Sequence, residues 1–553
     1  MAEKSADASR YKLEDKRSDA EAAWQNCQPY FNELRDIHRY FTPFRQSTSQ
    51  QQPERGGASP GQKRTDYLFD GTGPSAAFSF VSNMKADWLP AFEDFFKLEN
   101  GPLYQAAAEA QNAQEEAAKR SVQLQLVTRV VHGLTSQIRA TATDEMFADL
   151  FAGTGCLVVN KGSKTRDIFR GFSVPITEVA LENDAFGGVG RRIWKRKYKA
   201  RLIPEMWPNA KIPNGLAKAI RDDRNCDVLV TQYHYWDHTD ERWRLCVWTD
   251  KDNDEELHCE DEATSAFITP RMFVVPGEAM GRGIAHLGLP FVKTANKARE
   301  LALRAAAFAL LGLWTRRDDR VFNPDMAPMV PGAMWKVGSN GGSMGPTINR
   351  LDVPKDFDIS TIIINDERDQ IRRVLLDDEL PELTDRVRSP TEIAGRMRRY
   401  DRNRGGATTR LAFELIAPFV QRSVDILGQH GLVPGNLKVD DIITRAMVTA
   451  PAAAAQKSGK VERAISYLQM MQGLMGPQFT MLAAKVEELW PDIGRDLGLE
   501  EKYIRRVSEA EHLKLLIQQV QQETLKAAKG MPEAPAAEPP PAAPEAQYVN
   551  GGM

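Results

Sequence analysis

Between Cys156 and about Phe273 the texture of the sequence changes, and that change constrains the fold more than any other feature of the chain. Four short runs, CLVVN, RRIWKRKYKA, CDVLVTQYHYW and RWRLCVWT, alternate with turn clusters such as NDAFGG and DHTDE. Runs of this length, rich in β-branched and aromatic residues and bounded by Gly, Asn and Asp, are the pattern of antiparallel strands. On either side, apolar residues recur at the three- and four-residue spacing of helices. The expectation is an α+β chain, predominantly α-helical, with an antiparallel β subdomain over 156–273 inserted between helices and no internal repeat.

Before that block, a helix is expected over 20–46, with Trp24, Tyr30, Leu34, Ile37 and Phe41 on its apolar side. A second helix follows the polar loop at 45–64, with Thr72 as N-cap and Pro74 in the first turn. Further helices are expected over 103–137 and 142–152. After the block, Gly281, Gly283 and Gly288 precede a helix from Leu289 to Trp314, and 315–358 reads as irregular, with strand candidates such as AMWKVG. A short helix is expected around Asn365–Leu376, another through LAFELIAPFVQRSVDILGQ, and three more over 456–475, 477–490 and 498–527. The tail from Gly530 carries six prolines and cannot bury enough apolar surface to order itself.

Length and charge bound the function. The 553 residues allow two to four structural units, and 72 Lys plus Arg against 75 Asp plus Glu leave a net charge of -3. A nucleic-acid role must therefore come from local patches. Five scattered cysteines without a C-x-x-C pair suggest a reducing compartment and argue against a disulfide framework or a zinc module. The N-terminal stretch lacks an apolar h-region, and the most apolar run, Leu301–Trp314, is interrupted by Arg304 and falls short of a membrane span. No signal peptide and no membrane span are expected.

Motifs of chemistry fail one by one. KSGKVERA and GGASPGQKR lack the spacing of a phosphate-binding loop. DKDNDEELHCED alternates acids like a calcium loop, but Glu255 stands where the sharp turn needs Gly and Asp261 where it needs Glu. His258-Cys259 has no second pair at ligand spacing. DAFGGVG joins two strand-like runs and reads as a hairpin turn. No catalytic residue, metal ligand or cofactor is expected.

Two basic stretches remain. RRIWKRKYKAR, Arg191 to Arg201, has seven basic residues in eleven; it reads as a Lys/Arg-guarded sheet face or edge, or as a contact with a partner or DNA. RVRSPTEIAGRMRRYDRNRGG, Arg386 to Gly406, carries seven arginines against two acids. Within it, Ser389, Thr391 and Glu392 surround Pro390 in a capping box that starts a helix. Ile393, Met397 and Tyr400 share one face of that helix; Arg398, Arg399 and Arg402 share the other, and Arg396 flanks the apolar stripe. Arg386 and Arg388 precede the cap. Such a face serves either an oligomer, pairing with acids on a neighbour, or a path for phosphate.

Taken in order, these segments resemble the portal proteins, or head–tail connectors, of short-tailed bacteriophages. YLFDGTGPSAAFSFVSNMKADWLP, containing Asp70, is similar to an N-terminal motif of that family, and DLFAGTGCLVV to its helix–Gly–strand step. PRMFVVPGEAMGRGIAHLGLPFVKTANKA resembles a passage leading into a stem helix, through Gly277, Glu278, Gly281, Arg282, Leu287 and Asn296. Met280 stands there in place of a family tyrosine, and Gly283-Ile284 in place of Ser-Pro. RSPTEIAGRMRR resembles the motif after the tunnel loop. The resemblance implies the portal fold: a wing over 20–288, stem helices at 289–314 and 361–377, a clip over 315–358 and a tunnel loop over 378–388. It further implies a wing or channel helix in 389–450, a helical crown over 451–529 and a disordered tail over 530–553. It implies a ring, usually of twelve copies, at one capsid vertex of the virion, made in the host bacterial cytoplasm. The implied partners are double-stranded DNA, a terminase motor, tail adaptors, and the major capsid and scaffolding proteins. Arg386, Arg388, Arg396, Arg398, Arg399 and Arg402 are then candidates for the channel. A metal-dependent nuclease-like enzyme, or another ring-forming virion protein, is the alternative.

Overall fold

Proline and glycine punctuation decides where the N-terminal helices begin and end. The computed structural model describes residues 12–45, 61–111, 113–163, 167–251, 255–311, 313–316, 348–351, 357–375, 410–434 and 437–449, with short pieces between 464 and 494. The chain forms two units, Met1–Gln456 and Lys457–Met553; the elements described below lie in the first. Residues 464–471, in the second, are helical. The single helix expected over 20–46 is two: α1 (Leu13–Asn26) and α2 (Gln28–Tyr40), split at Cys27, with Pro29 in the first turn of α2. There its missing N–H is harmless. Tyr30, Phe31, Leu34 and Ile37 form the buried stripe of α2. Helix α3 (Thr72–Trp88) begins at Thr72 rather than being capped by it. The first amide is satisfied by Asp70, whose Oδ1 accepts from Thr72 N at 2.9 Å.

After β1 (Phe96–Asn100), the helix expected over 103–137 is also two, α4 (Pro102–Ala110) and α5 (Gln114–Thr141), followed by α6 (Thr143–Ala152). Leu124, Val127, Val131 and Ile138 place the apolar face of α5 in the core. Arg139 lies among them, donating to the carbonyls of Pro90, of Glu93 at 3.1 Å and of His132 at 2.8 Å. Three carbonyls compensate the burial of one guanidinium. Burial still lowers its pKa to about 10.

The β block is antiparallel throughout, as the alternation implies. Strands β2 (Leu157–Lys161), β3 (Phe169–Ser173), β4 (Val179–Asn183) and β5 (Val189–Lys199) precede α7 (Ile203–Met206) and α8 (Asn214–Asp222). Strands β6 (Asp227–Asp237), β7 (Arg242–Thr249), β8 (His258–Glu262) and β9 (Phe267–Ile268) complete it. They form a five-stranded meander, β4-β5-β6-β7-β8, and a smaller sheet, β3-β2-β9. The two helices inside the block were not anticipated. They carry Ile203 and Leu216 into a separate small core with Val228, Val230 and Val247 of the sheet.

The basic run of β5 is paired on both sides only as far as Trp194; Lys195–Lys199 pair with β6 alone, in keeping with a Lys/Arg-guarded sheet face or edge. Its charges are matched within the chain: Arg191 with Glu182 at 2.9 Å, Lys195 with Glu21 at 2.6 Å and Lys199 with Asp227 at 2.8 Å. Arg201 falls beyond the strand. The DKDND segment follows a strand, not the helix that a calcium loop would need, and residues 252–254 lie outside the described residues. His258 and Cys259 stand in β8. Cys259 faces Cys246 of β7 in register, and the two sulfurs are bonded. The expectation of no disulfide framework did not anticipate this single pair: residues 13 apart in sequence are brought together by a hairpin, which spacing alone does not reveal.

Past the block come α9 (Ile284–Leu311), β10 (Leu313–Arg316), β11 (Ile348–Leu351) and α10 (Phe357–Val374). The helix expected to reach Trp314 stops at Leu311, and β10 pairs antiparallel with β11. AMWKVG lies outside the described residues. A π-turn at Ala412–Ile416 leads into α11 (Ala417–Gln429). Finally β12 (Thr444–Val448), also unanticipated, pairs with β1 from the opposite end of the unit.

The core centres on α11 and β2. Leu157, Val158 and Val159 are buried in succession, the signature of a strand covered on both faces. Arg422 of α11 is buried against it, donating to Val159 O at 3.0 Å, Thr264 O at 3.0 Å and Glu262 Oε1 at 2.6 Å.

Two buried histidines make this core acid-sensitive. Burial lowers the pKa of both His38 and His234 from the ordinary 6.5 to about 4. The unfolded chain thus binds more protons between those values, and stability falls as pH drops from 6.5 towards 4. The expected slope is about 1.4 kcal/mol per pH unit for each group. Urea unfolding across this range measures it, and His38→Gln makes the slope shallower.

Candidate functional site

The residues singled out by the PGEAMGRG passage gather where α2, α3, α6, α9 and α10 meet. Backbone sterics set the joint. Gly153 closes α6 at φ +131, and a Cβ there would stand 2.2 Å from Gly281 O. A Cβ on Gly283 would equally stand 2.2 Å from Phe151 O. The end of α6 and the 281–283 turn therefore pack backbone on backbone, which only glycine permits at both positions. Thr154 Oγ1 accepts from Gly281 N at 2.7 Å, and single bridges join Thr154 to Arg271 and Phe273 to Arg282. Gly277, at φ +87, makes the preceding turn.

Charged side chains then fasten the helices. Arg282 grips both carboxylate oxygens of Glu278, at 2.9 and 3.0 Å, and reaches Glu33 of α2 at 2.7 Å. The Arg282 hydrogen bonds hold the Glu278 carboxyl below the usual carboxylate range. Lys293 of α9 pairs with Asp36 of α2 at 2.6 Å, so α2 is joined first to the 281–283 turn and then to α9. Asn296, one turn further along α9, fills the turn before α3. Its Oδ1 accepts from Phe69 N at 2.7 Å and Asp70 N at 3.2 Å, and its Nδ2 donates to Tyr67 O at 3.0 Å. Asp70 receives Arg368 of α10 at 2.9 and 2.6 Å. Burial pushes the Asp70 carboxyl up, but hydrogen bonds from Thr72 and Arg368 outweigh it and leave the pKa low.

Thus Asp70, Glu278, Gly281, Arg282 and Asn296, scattered over more than two hundred residues of sequence, form one joint. Three partners were missed. Arg368 gave no signal, because a lone arginine on an amphipathic helix is ordinary. Arg271 lies inside the quoted passage but outside its glycine-rich part. Glu414 sits in the π-turn, where sequence periodicity suggests plain helix. Arg271 and Glu414 form a buried pair: the Arg271 backbone N and Nη2 each donate to the carboxylate at 2.9 Å, and Arg410 adds a bond at 3.0 Å.

The arginine candidates Arg386, Arg388, Arg396, Arg398, Arg399 and Arg402, with the cap residues Ser389, Thr391 and Glu392, lie outside the described residues. The two ends of their segment do not. Leu375, where it leaves, packs against Gly288, and Glu414, where it returns, is bound by Arg271. Both ends are fastened to the same 271–288 stretch.

Among the described residues, one group of three potential metal ligands occurs, Cys246, Glu256 and Cys259. It is closed by the sulfur–sulfur bond and by the Lys16–Glu256 ion pair at 2.7 Å. What the assembled joint does chemically is hold geometry, which is the work of a structural connector. The chain belongs to the bacteriophage head-to-tail connecting protein family, whose model it matches over residues 13–504. No curated protein matches it. The resemblance read from the order of the motifs is borne out, and with it a role in joining phage head and tail. No helix among the described residues is long and apolar enough to cross a membrane.

If the joint carries the helices, removing its centre loosens them. Asn296→Ala leaves two amides and a carbonyl of the 67–70 turn unmatched, at a cost of about 2–3 kcal/mol. Asp70→Ala strands Arg368, whose side chain is 32% exposed, so about 1–3 kcal/mol is expected. Chemical denaturation of both variants measures these losses. Because the folded Asp70 pKa is lowered, its contribution is present above the ordinary carboxylate pKa and lost as pH falls through the folded value.

Proposed function

We propose that the chain is the portal subunit: a ring, usually of twelve copies, at one capsid vertex, through which double-stranded DNA is packaged and ejected. In this reading the wing spans 20–288, the stem helices are 289–314 and 361–377, and the clip is 315–358. The tunnel loop is 378–388, the wing or channel helix lies in 389–450, the crown is 451–529 and the tail is 530–553. The clip faces a terminase motor and tail adaptors, while the wing and crown meet capsid and scaffolding proteins. The observation that carries the reading is the family match across 13–504.

Two features support it. Helices α9 and α10 pack side by side, and β10 and β11, next to them in sequence, pair with each other, an arrangement suited to a channel wall. The segment holding Arg386–Arg402 is fastened at both ends to the joint at the base of those helices. A conduit must let a polyanion slide at any sequence, so its phosphate contacts must be weak, repeated and blind to bases. Arginines replicated around a ring meet that need.

Mass photometry with negative-stain imaging tests the ring. A species near twelve times the 61.9 kDa chain, with a central hole, is expected. A monomer that cleaves DNA with divalent ions would overturn the reading in favour of a nuclease.

A second test concerns the path. Arg386→Ala combined with Arg388→Ala slows packaging or loosens DNA retention while the ring stays intact. Unchanged packaging would remove both from the DNA path.

A further inference from the structure

The Cys246–Cys259 pair has a chemistry that neither the joint nor the family role uses. The two residues stand opposite each other in the β7–β8 register, with Cα atoms 4.3 Å apart and their sulfurs bonded. That spacing matches the closer, non-hydrogen-bonded class of cross-strand position, where side chains approach most nearly. The two sulfurs have different surroundings. Cys246 is fully buried. Cys259 is exposed, on β8, the outer strand of the five-stranded sheet. From α1, Lys16 Nζ stands 3.4 Å from Cys246 Sγ and 2.7 Å from Glu256 Oε1. The ligand atoms of Cys246, Glu256 and Cys259 also lie within 4.8 Å of one another, as a metal site would require. An ammonium already seated at one of those sulfurs opposes a second positive charge. It favours a negative one.

We propose that Cys246–Cys259 is a reversible thiol–disulfide latch, opened by a small thiol attacking the exposed Cys259 sulfur, with Lys16 stabilising the Cys246 thiolate that leaves. The attacking thiolate forms a mixed disulfide with Cys259 as the Cys246–Cys259 bond breaks, and the electron pair of that bond stays on Cys246. A second thiol then attacks the mixed disulfide and releases Cys259. Two small thiols are oxidised to one small disulfide, and the two protein sulfurs gain two electrons and two protons. Access selects Cys259 for attack, and exchange is faster when the departing thiolate is stabilised. Reversal uses the same group: a Cys246 thiolate held beside Lys16 attacks the mixed disulfide on Cys259 and closes the latch.

Opening leaves the outer strand β8 held by its hydrogen-bonded ladder and by the ion pairs of Asp261 with Arg244 and Glu262 with Arg422. Lys16 is then shared between the Cys246 thiolate and Glu256, so the hold of α1 on the β7–β8 hairpin changes with the redox state. The proposal does not depend on the ring reading.

The test uses the full chain, prepared without reductant and exposed to reduced glutathione. Samples are quenched in acid, alkylated and mapped by peptide mass spectrometry. The expected order is a glutathione adduct on Cys259 first and two alkylatable thiols afterwards, with the bond restored by glutathione disulfide. Lys16→Gln slows opening by about threefold or more, because the departing thiolate loses its neighbouring ammonium. Glu256→Gln breaks the same ion pair but leaves the ammonium on the sulfur, so opening is not slowed. Equal slowing in both variants would reduce Lys16 to a structural contact and overturn its role. An adduct on Cys246 would overturn the direction of attack. Thiols found free in the protein as prepared, and still free after glutathione disulfide, would overturn the latch itself.

Discussion

The backbone-to-backbone approach of the α6 terminus and the 281–283 turn is the contact on which the other fastenings depend. Arg282 can grip Glu278 and reach Glu33 only if the turn carrying it is pressed against α6. Once it is, α9 leaves the turn in a fixed direction. Lys293 and Asn296 then meet α2 and the 67–70 turn at successive levels along α9, and Asp70 passes the constraint on to α10 through Arg368. A side chain at Gly153 or Gly283 would displace the first contact and so misalign every later one. Side-chain pairs of this exposure contribute little singly. Their value here is geometric, because each fixes the position of the next.

The charges follow the same economy. A chain with nearly equal numbers of acids and bases has few basic groups to spare for a polyanion, and the structure shows where many are committed. The conspicuous run of β5 is balanced by Glu182, Glu21 and Asp227, while Arg139, Arg271 and Arg422 are buried against carbonyls and carboxylates. Local density of arginine in a sequence is therefore a poor guide to a binding surface.

Much of the fold was legible because it follows local rules. The β block, its hairpin at NDAFGG and the helical flanks were all readable from period and turn chemistry. Asp184 at that turn accepts from both Phe186 N and Gly188 N, as an Asp opening a tight turn does. What escaped was non-local. The β1–β12 pair joins segments with weak strand character, stabilised by Phe95, Phe96 and Leu98 entering the core beside Phe419. The Cys246–Cys259 pair needed the hairpin register, and Glu414 needed a π-turn that repeats no periodic pattern. The site was half legible: order and spelling revealed Asp70, Glu278, Arg282 and Asn296, but nothing in the sequence reveals that they touch.

The β1–β12 ladder has a consequence for how the protein comes into being. Phe96–Asn100 emerges early in synthesis and its partner Thr444–Val448 very late. At ribosomal rates of about 5–20 residues per second, β1 waits on the order of half a minute for its neighbour. Through that interval Phe95, Phe96 and Leu98 lack the cover that β12 and Phe419 give them in the finished molecule. Within the five-stranded meander each strand pairs with its neighbours in sequence and has no such wait, although β2 meets Arg422 of α11 only late. The β1–β12 seam is sealed only by the segment that follows the arginine-rich stretch. A nascent chain cut short before residue 444 would carry an open strand edge and be a natural client for chaperones or proteases.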